Sequence, residues 1–162
     1  PEPHAAELAS NLTFREDMWR LADAGMPIYG ECGGLMYLGE TLKMGDQRYP
    51  MTGILPVDYG FSQRPRGHGY TVVEVVVPNP YFEIGSQIRG HEFHYSYVSE
   101  WRGRDEQLAF KMTRGTGFTA KRDGVTYKNV FGTYTHIHAL GTPQWAPALV
   151  AAARRYRAQS GS

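Results

Sequence analysis

Met26-Pro27-Ile28-Tyr29-Gly30 is a short apolar run of the kind that forms a buried strand. It leads through Gly30-Glu31-Cys32-Gly33-Gly34 straight into Leu35, Met36, Tyr37 and Leu38, which read as a helix that Gly39 weakens or ends. A strand that becomes a helix within so few residues needs backbone angles that a Cβ obstructs, and glycines at 30, 33 and 34 meet that need. Such a turn belongs to α/β architectures, where the residue at its apex projects from the carboxyl end of a strand. That residue is Cys32, the single cysteine of the chain.

One cysteine cannot form an internal disulfide, so Cys32 is a buried filler, a reactive thiol or a lone ligand. Most free cysteines behave as small buried hydrophobes. Here the expected helix begins directly after Cys32, and the partial positive charge at a helix amino end favours the thiolate, the form that attacks. The glycines around it leave backbone N–H groups free to meet an oxyanion. The local pattern therefore favours a nucleophile at a strand-to-helix elbow.

The rest of the chain supplies the surrounding framework. An amphipathic helix is expected from Thr13 to Ala24, with Thr13 as N-cap, Glu16 completing a capping box and Gly25 just past the end. Period-two segments at Tyr70 to Val77, Glu92 to Val98, Leu108 to Thr113 and Val125 to His138 read as strands, with Asp123-Gly124 as a hairpin turn before the last. A closing helix is expected from Gln144 to Ala158, capped near Thr142 with Pro143 at its first position. The order of elements predicts one α/β domain, residues 1–162, with a mixed sheet.

Charge and hydropathy exclude several functions. Seventeen Lys plus Arg against sixteen Asp plus Glu leave no basic field for a phosphate backbone, so nucleic acid is not an expected partner. No apolar stretch approaches the roughly 20 residues that span a bilayer and no signal pattern opens the chain, which predicts no membrane association and a cytoplasmic location.

A thiol nucleophile needs a base, and six histidines are available. In Gly132-Thr133-Tyr134-Thr135-His136-Ile137-His138 two of them alternate, so a continuous strand places both on one face. His91 and His94 lie an odd number apart and should face opposite ways, whereas Glu92 and His94 share a face. A metal-dependent hydrolase built on His91, His94, His136 and His138 is disfavoured, because His91-Glu92-Phe93-His94 is one residue short of a zinc-helix pattern and lies on a strand. No metal is expected.

Gly30-Glu31-Cys32-Gly33-Gly34-Leu35-Met36-Tyr37-Leu38-Gly39 resembles the nucleophile motif of triad-type (class I) glutamine amidotransferases, specifically the branch that amidates corrinoid precursors. Gly90-His91-Glu92-Phe93-His94-Tyr95-Ser96 and Gly132 to His138 resemble two further signatures of that branch, in the same order. The chain is thereby identified as a member of the cobyrinic acid a,c-diamide synthase family, matching its carboxy-terminal glutaminase domain. The resemblance implies a class I glutamine amidotransferase-like (flavodoxin-like) mixed sheet flanked by helices, truncated at its amino end, and Pro1-Glu2 resembles the tail of an oxyanion loop.

It further implies that Cys32 is the nucleophile and His136 the base. The wider superfamily carries a glutamate two residues after that histidine, but here His138 stands there, so the site reads as a Cys–His dyad. Gly33 is expected to help hold the oxyanion, and Glu92, His94 and His138 to line the glutamine pocket. The fragment itself should carry no cofactor. ATP and Mg belong to a missing amino-terminal domain, in line with the lack of a Gly-x-x-x-x-Gly-Lys-Ser/Thr loop. The implied partners are glutamine and, through that domain, a tetrapyrrole, with a homodimer left open. The implied role is amidation of the a and c acetates of cobyrinic or hydrogenobyrinic acid in cobalamin biosynthesis. The alternatives are the same role toward Ni-sirohydrochlorin, or a non-catalytic binding module.

Overall fold

The structure, a computed structural model, describes residues 1–159. A single 3-10 turn (Glu2–His4) and a short helix α1 (Ala5–Ser10) lead into α2 (Leu12–Asp23). The N-cap of α2 is Asn11 and not Thr13: the Asn11 side chain accepts a hydrogen bond from the Phe14 amide at 3.2 Å. An amide side chain caps as well as a hydroxyl, and the helix starts at Leu12, one residue before Thr13. Gly25, at φ +86°, ends the helix as expected.

Strand β1 (Ile28–Glu31) then turns through Cys32 into α3 (Gly33–Leu38). A Cβ on Gly30 would lie 2.9 Å from the Gly34 carbonyl carbon, so only glycine lets the first turn of α3 close down on the strand that precedes it. Three strands that the residue pattern did not reveal follow, β2 (Thr41–Met44), β3 (Gln47–Pro50) and β4 (Val57–Phe61). With β7 (Ser96–Trp101) they form a four-stranded sheet in the order β3-β2-β4-β7.

The larger sheet joins β1 to β5 (Gly67–Val75), β6 (Gln87–His94), β8 (Leu108–Arg114), β9 (Arg122–Tyr127), β10 (Val130–Thr133) and β11 (His136–Ile137). Its seven strands run in the order β1-β10-β9-β8-β5-β6-β11. Three expectations fail here. The segment Glu92 to Val98 is not one strand: β6 ends at His94, and β7 belongs to the smaller sheet. The segment Val125 to His138 is also divided, into β9, β10 and β11, with the reversal at Lys128-Asn129, where Lys128 adopts φ +51°. Asp123-Gly124 lies inside β9 and is no turn. Its Gly124 has φ +70° and Asp123 is fully buried.

The core has two parts. On one side Leu35, Met36 and Leu38 of α3 pack with Leu42, Val57 and Tyr59 of the smaller sheet and with Val125 and Val130. On the other, Val73, Val75, Ile88, Phe110 and Phe131 of the large sheet pack against Ala152 of the closing helix α4 (Trp145–Gln159). Each fully buried large apolar side chain contributes about 1.5–3 kcal/mol. Both faces of the sheet are thus covered where β1 and β10 run side by side, and that pair carries the site.

Candidate active site

Strands β1 and β10 are parallel neighbours, with Glu31 opposite Thr133, and the ladder extends one step further because the Cys32 amide donates to the Thr133 carbonyl at 2.8 Å. Parallel pairing brings both carboxyl ends to one edge, the edge at which α/β proteins bind their ligands. Cys32 leaves that edge from β1. The chain of β10 continues through Tyr134 and Thr135 to His136 at the same edge. Cys32 itself has φ +47° and ψ −98°, a conformation a side chain adopts only under constraint, at a cost of about 1–3 kcal/mol. The turn holds the thiol out from the strand end, with its Sγ 3.9 Å from the Phe93 carbonyl oxygen.

The imidazole of His136 lies between Cys32 and Glu31. Its Nδ1 is 3.2 Å from Glu31 Oε2, and the His91 ring stacks on it with centroids 4.9 Å apart. The hydrogen bond to the Cys32 side chain, with that to Glu31 second, favours the imidazolium and outweighs burial, so the His136 pKa is pushed up to about 10. Burial works against the charge of Glu31. Hydrogen bonds from His136, from the Ile137 amide at 3.0 Å and from the Tyr29 hydroxyl at 2.9 Å overcome it and hold the carboxyl below its usual range.

Two devices fix β11. A Cβ on Gly90 would lie 2.2 Å from the His136 carbonyl oxygen, so β6 accepts β11 at this close approach only because position 90 is glycine. The second is Asp123. Its carboxylate accepts from the amides of Gly124 (2.9 Å), Tyr134 (3.1 Å) and Thr135 (3.0 Å), and from the hydroxyls of Thr133 (2.8 Å) and Thr135 (3.0 Å). Burial pushes this carboxyl up against those bonds. The result is a rigid link between β10 and the histidine. Neither Glu31 nor Asp123 stood out in the sequence. Glu31 is embedded in the nucleophile motif, and Asp123, followed by glycine, has the composition of a turn.

The remaining expected site residues divide. The head of α3 at Gly33 packs against Pro1, whose Cδ would be 3.0 Å from a Cβ at that position, so the amino-terminal residues do border the nucleophile turn. Glu92 and His94 are buried: Glu92 holds the Thr116 and Gly117 amides at 2.6 and 2.9 Å, and His94 stacks on Tyr134 at 3.7 Å and bonds the Ser96 carbonyl oxygen through Nδ1 at 2.8 Å. His94 and Tyr134 form one wall of a cleft of about 390 Å³ that also presents Arg66, Ser96, Tyr97 and Thr119. His138 is not on a strand face with His136. It is exposed beyond the end of β11, and its carbonyl oxygen accepts the Gly141 and Thr142 amides ahead of α4. His91 stacks on His136, but among the described residues no three His, Cys, Asp or Glu side chains are grouped as metal ligands. No helix among the described residues is long and apolar enough to cross a membrane.

Comparison with known proteins agrees with this geometry. The chain is 38% identical over 149 residues to a cobyrinate a,c-diamide synthase of Magnetococcus marinus, an alignment covering 92% of this chain and 32% of the relative. It is 42% identical over 146 residues to that of Methanothermobacter thermautotrophicus, covering 90% and 31%. The chain therefore spans about a third of the length of these relatives. The fold matches the structure of PurLQS from Thermotoga maritima with a TM-score of 0.65 at 17% identity, over 95% of this chain and 72% of that one. A further match is a crystal structure of a glutamine amidotransferase, at 0.62 and 15% identity, over 91% and 72%. Residues 1–144 match the CobB/CobQ-like glutamine amidotransferase domain, and with the thiol, the imidazole and the strand ends arranged as described, the chain belongs to that family.

Proposed function

We propose that this domain hydrolyses glutamine at Cys32 and supplies the ammonia for amidation of the a and c acetate side chains of cobyrinic or hydrogenobyrinic acid. The observation that carries the reading is that Cys32 follows the end of β1 while His136 lies three residues past the end of its parallel neighbour β10, with the cysteine held at φ +47°. Deprotonation of Cys32 passes the thiol proton to His136, and Glu31 stabilises the resulting imidazolium. The sulfur attacks the side-chain amide carbon, and the imidazolium protonates the departing nitrogen as the C–N bond breaks. His136 then takes a proton from water, which attacks the thioester and releases glutamate. The amide of Gly33, at the head of α3, is the protein's donor to the tetrahedral oxyanion, a contact worth about 3 kcal/mol in comparable sites. The cleft beside Tyr134 offers Arg66 and Thr119 to the amino-acid head of glutamine.

In the relatives this domain is about a third of the protein, and the remainder is where ATP, Mg and the tetrapyrrole are expected to bind. Two assays in the full-length protein test the reading. Cys32→Ala should abolish glutamine-dependent amidation and leave ammonia-dependent amidation intact. Loss of both in a folded protein, or retention of the first, contradicts it. Supplying cobyrinic acid and Ni-sirohydrochlorin in parallel identifies the tetrapyrrole.

A further inference from the structure

We propose that Glu31 positions His136 and so completes the site as a Cys–His–Glu arrangement. The carboxylate comes from the residue before the nucleophile and not from the position two residues after the histidine. This rests on the glutaminase reading above. The strand order places β1 and β11 at opposite ends of the seven-stranded sheet, yet Glu31 of β1 accepts hydrogen bonds from both the side chain and the backbone of β11. The sheet is therefore curled, and the Glu31 carboxylate forms the seam where its ends meet.

The two oxygens divide the work. Oε2 faces His136 Nδ1 at 3.2 Å, which fixes the ring orientation and leaves Nε2 as the nitrogen free for the sulfur. Oε1 takes the Ile137 amide at 3.0 Å, pinning the backbone that carries the ring, and is itself held by the Tyr29 hydroxyl at 2.9 Å. Because Tyr29 and Glu31 alternate on β1, the tyrosine buttress lies on the same side of the strand as the carboxylate. A carboxylate arriving from the nucleophile's own strand makes an acid at position 138 unnecessary, and the exposed His138 is free of that role. The charged or titratable groups facing the imidazole are Cys32, Glu31 and His91, so a change in its titration reports on these.

The test uses the full-length protein with Glu31→Gln, which keeps the shape but turns an amide N–H toward Nδ1 or weakens its acceptor. Glutaminase kcat should fall about 10²-fold or more, KM for glutamine should change less than about threefold, and ammonia-dependent amidation should persist. The acid limb of the kcat profile should move, and Glu31→Asp should recover part of the rate. Tyr29→Phe, which removes only the buttress, should lose less. Unchanged kcat and pH profile in Glu31→Gln overturn the assignment while leaving the glutaminase reading intact. Proportional loss of glutamine- and ammonia-dependent rates in Glu31→Gln, with no recovery in Glu31→Asp, assigns the residue to folding and also overturns it. Glutaminase activity surviving in Cys32→Ala would instead sink the underlying reading.

Discussion

Asp123 offers the most direct link between a buried polar group and the placement of the base. Replacing it with Ala leaves the Gly124 and Tyr134 amides without an acceptor, while the Thr135 amide keeps its 3.0 Å bond to Thr133 Oγ1. Each orphaned buried amide costs about 1–3 kcal/mol, so the variant should lose about 2–6 kcal/mol, a large share of the roughly 5–15 kcal/mol that holds a domain folded. Asp123→Asn can keep its carbonyl oxygen toward Gly124 and Tyr134 and turn its NH2 toward the Thr133 and Thr135 hydroxyls, which rotate to accept, but that NH2 also faces the Thr135 amide N–H, which loses this acceptor and is left with Thr133 Oγ1. It should lose less than the Ala variant, about 1–3 kcal/mol. Urea unfolding of the two variants measures the difference. An Ala variant within about 1 kcal/mol of the parent, or an Asn variant as unstable as Ala, would refute the hydrogen-bond accounting.

Three further outcomes follow from the same geometry. Gly90→Ala forces β11 away from β6, since its Cβ would sit 2.2 Å from the His136 carbonyl oxygen; a shift near an ångström should cut glutaminase kcat about 10²-fold, and parental activity in a folded variant would contradict this. His136→Ala should abolish glutamine-dependent amidation with ammonia-dependent amidation preserved, whereas His138→Ala should cause at most a mild loss; the reverse order would reassign the base. The His136 pKa is raised to about 10 from about 6.5 unfolded, so its contribution to stability is full below about pH 6.5 and lost as pH rises through about 10. The stability gap between the parent and His136→Gln, read from urea midpoints, should therefore shrink between about pH 7 and 10, and a gap that stays constant or widens would argue against the paired imidazolium.

Local patterns made the nucleophile turn, α2, β5, β8 and α4 legible, because each is specified by residues adjacent in sequence: apolar periodicity, Gly25 after α2 and the glycines around Cys32. The expected N-caps Thr13 and Thr142 did not hold, since α2 is capped by Asn11 and α4 begins at Trp145. The failures arose where long-range packing decided. Period two runs unbroken through Tyr95, yet the chain there passes from one sheet to the other, with β6 pairing β5 and β7 pairing β4. Asp123-Gly124 has the composition of a hairpin turn, but the Thr133 to Thr135 segment captures the aspartate, and the reversal falls to Lys128-Asn129 instead. His136 and His138 alternate in sequence, but β11 stops at Ile137, so alternation no longer places them on a common face. Glu31 could not be read as a partner of His136 because nothing local shows that β1 and β11 meet.

The central claim is that Cys32 carries the acyl group of glutamine. Full-length protein mixed with isotopically labelled glutamine, quenched in acid and digested, can be searched by mass spectrometry for a γ-glutamyl thioester. The account predicts the adduct on the peptide containing Cys32, with no such thioester in Cys32→Ser. Glutamate and ammonia formed at the parental rate by Cys32→Ala, with no acylated Cys32 in the parent, would contradict it.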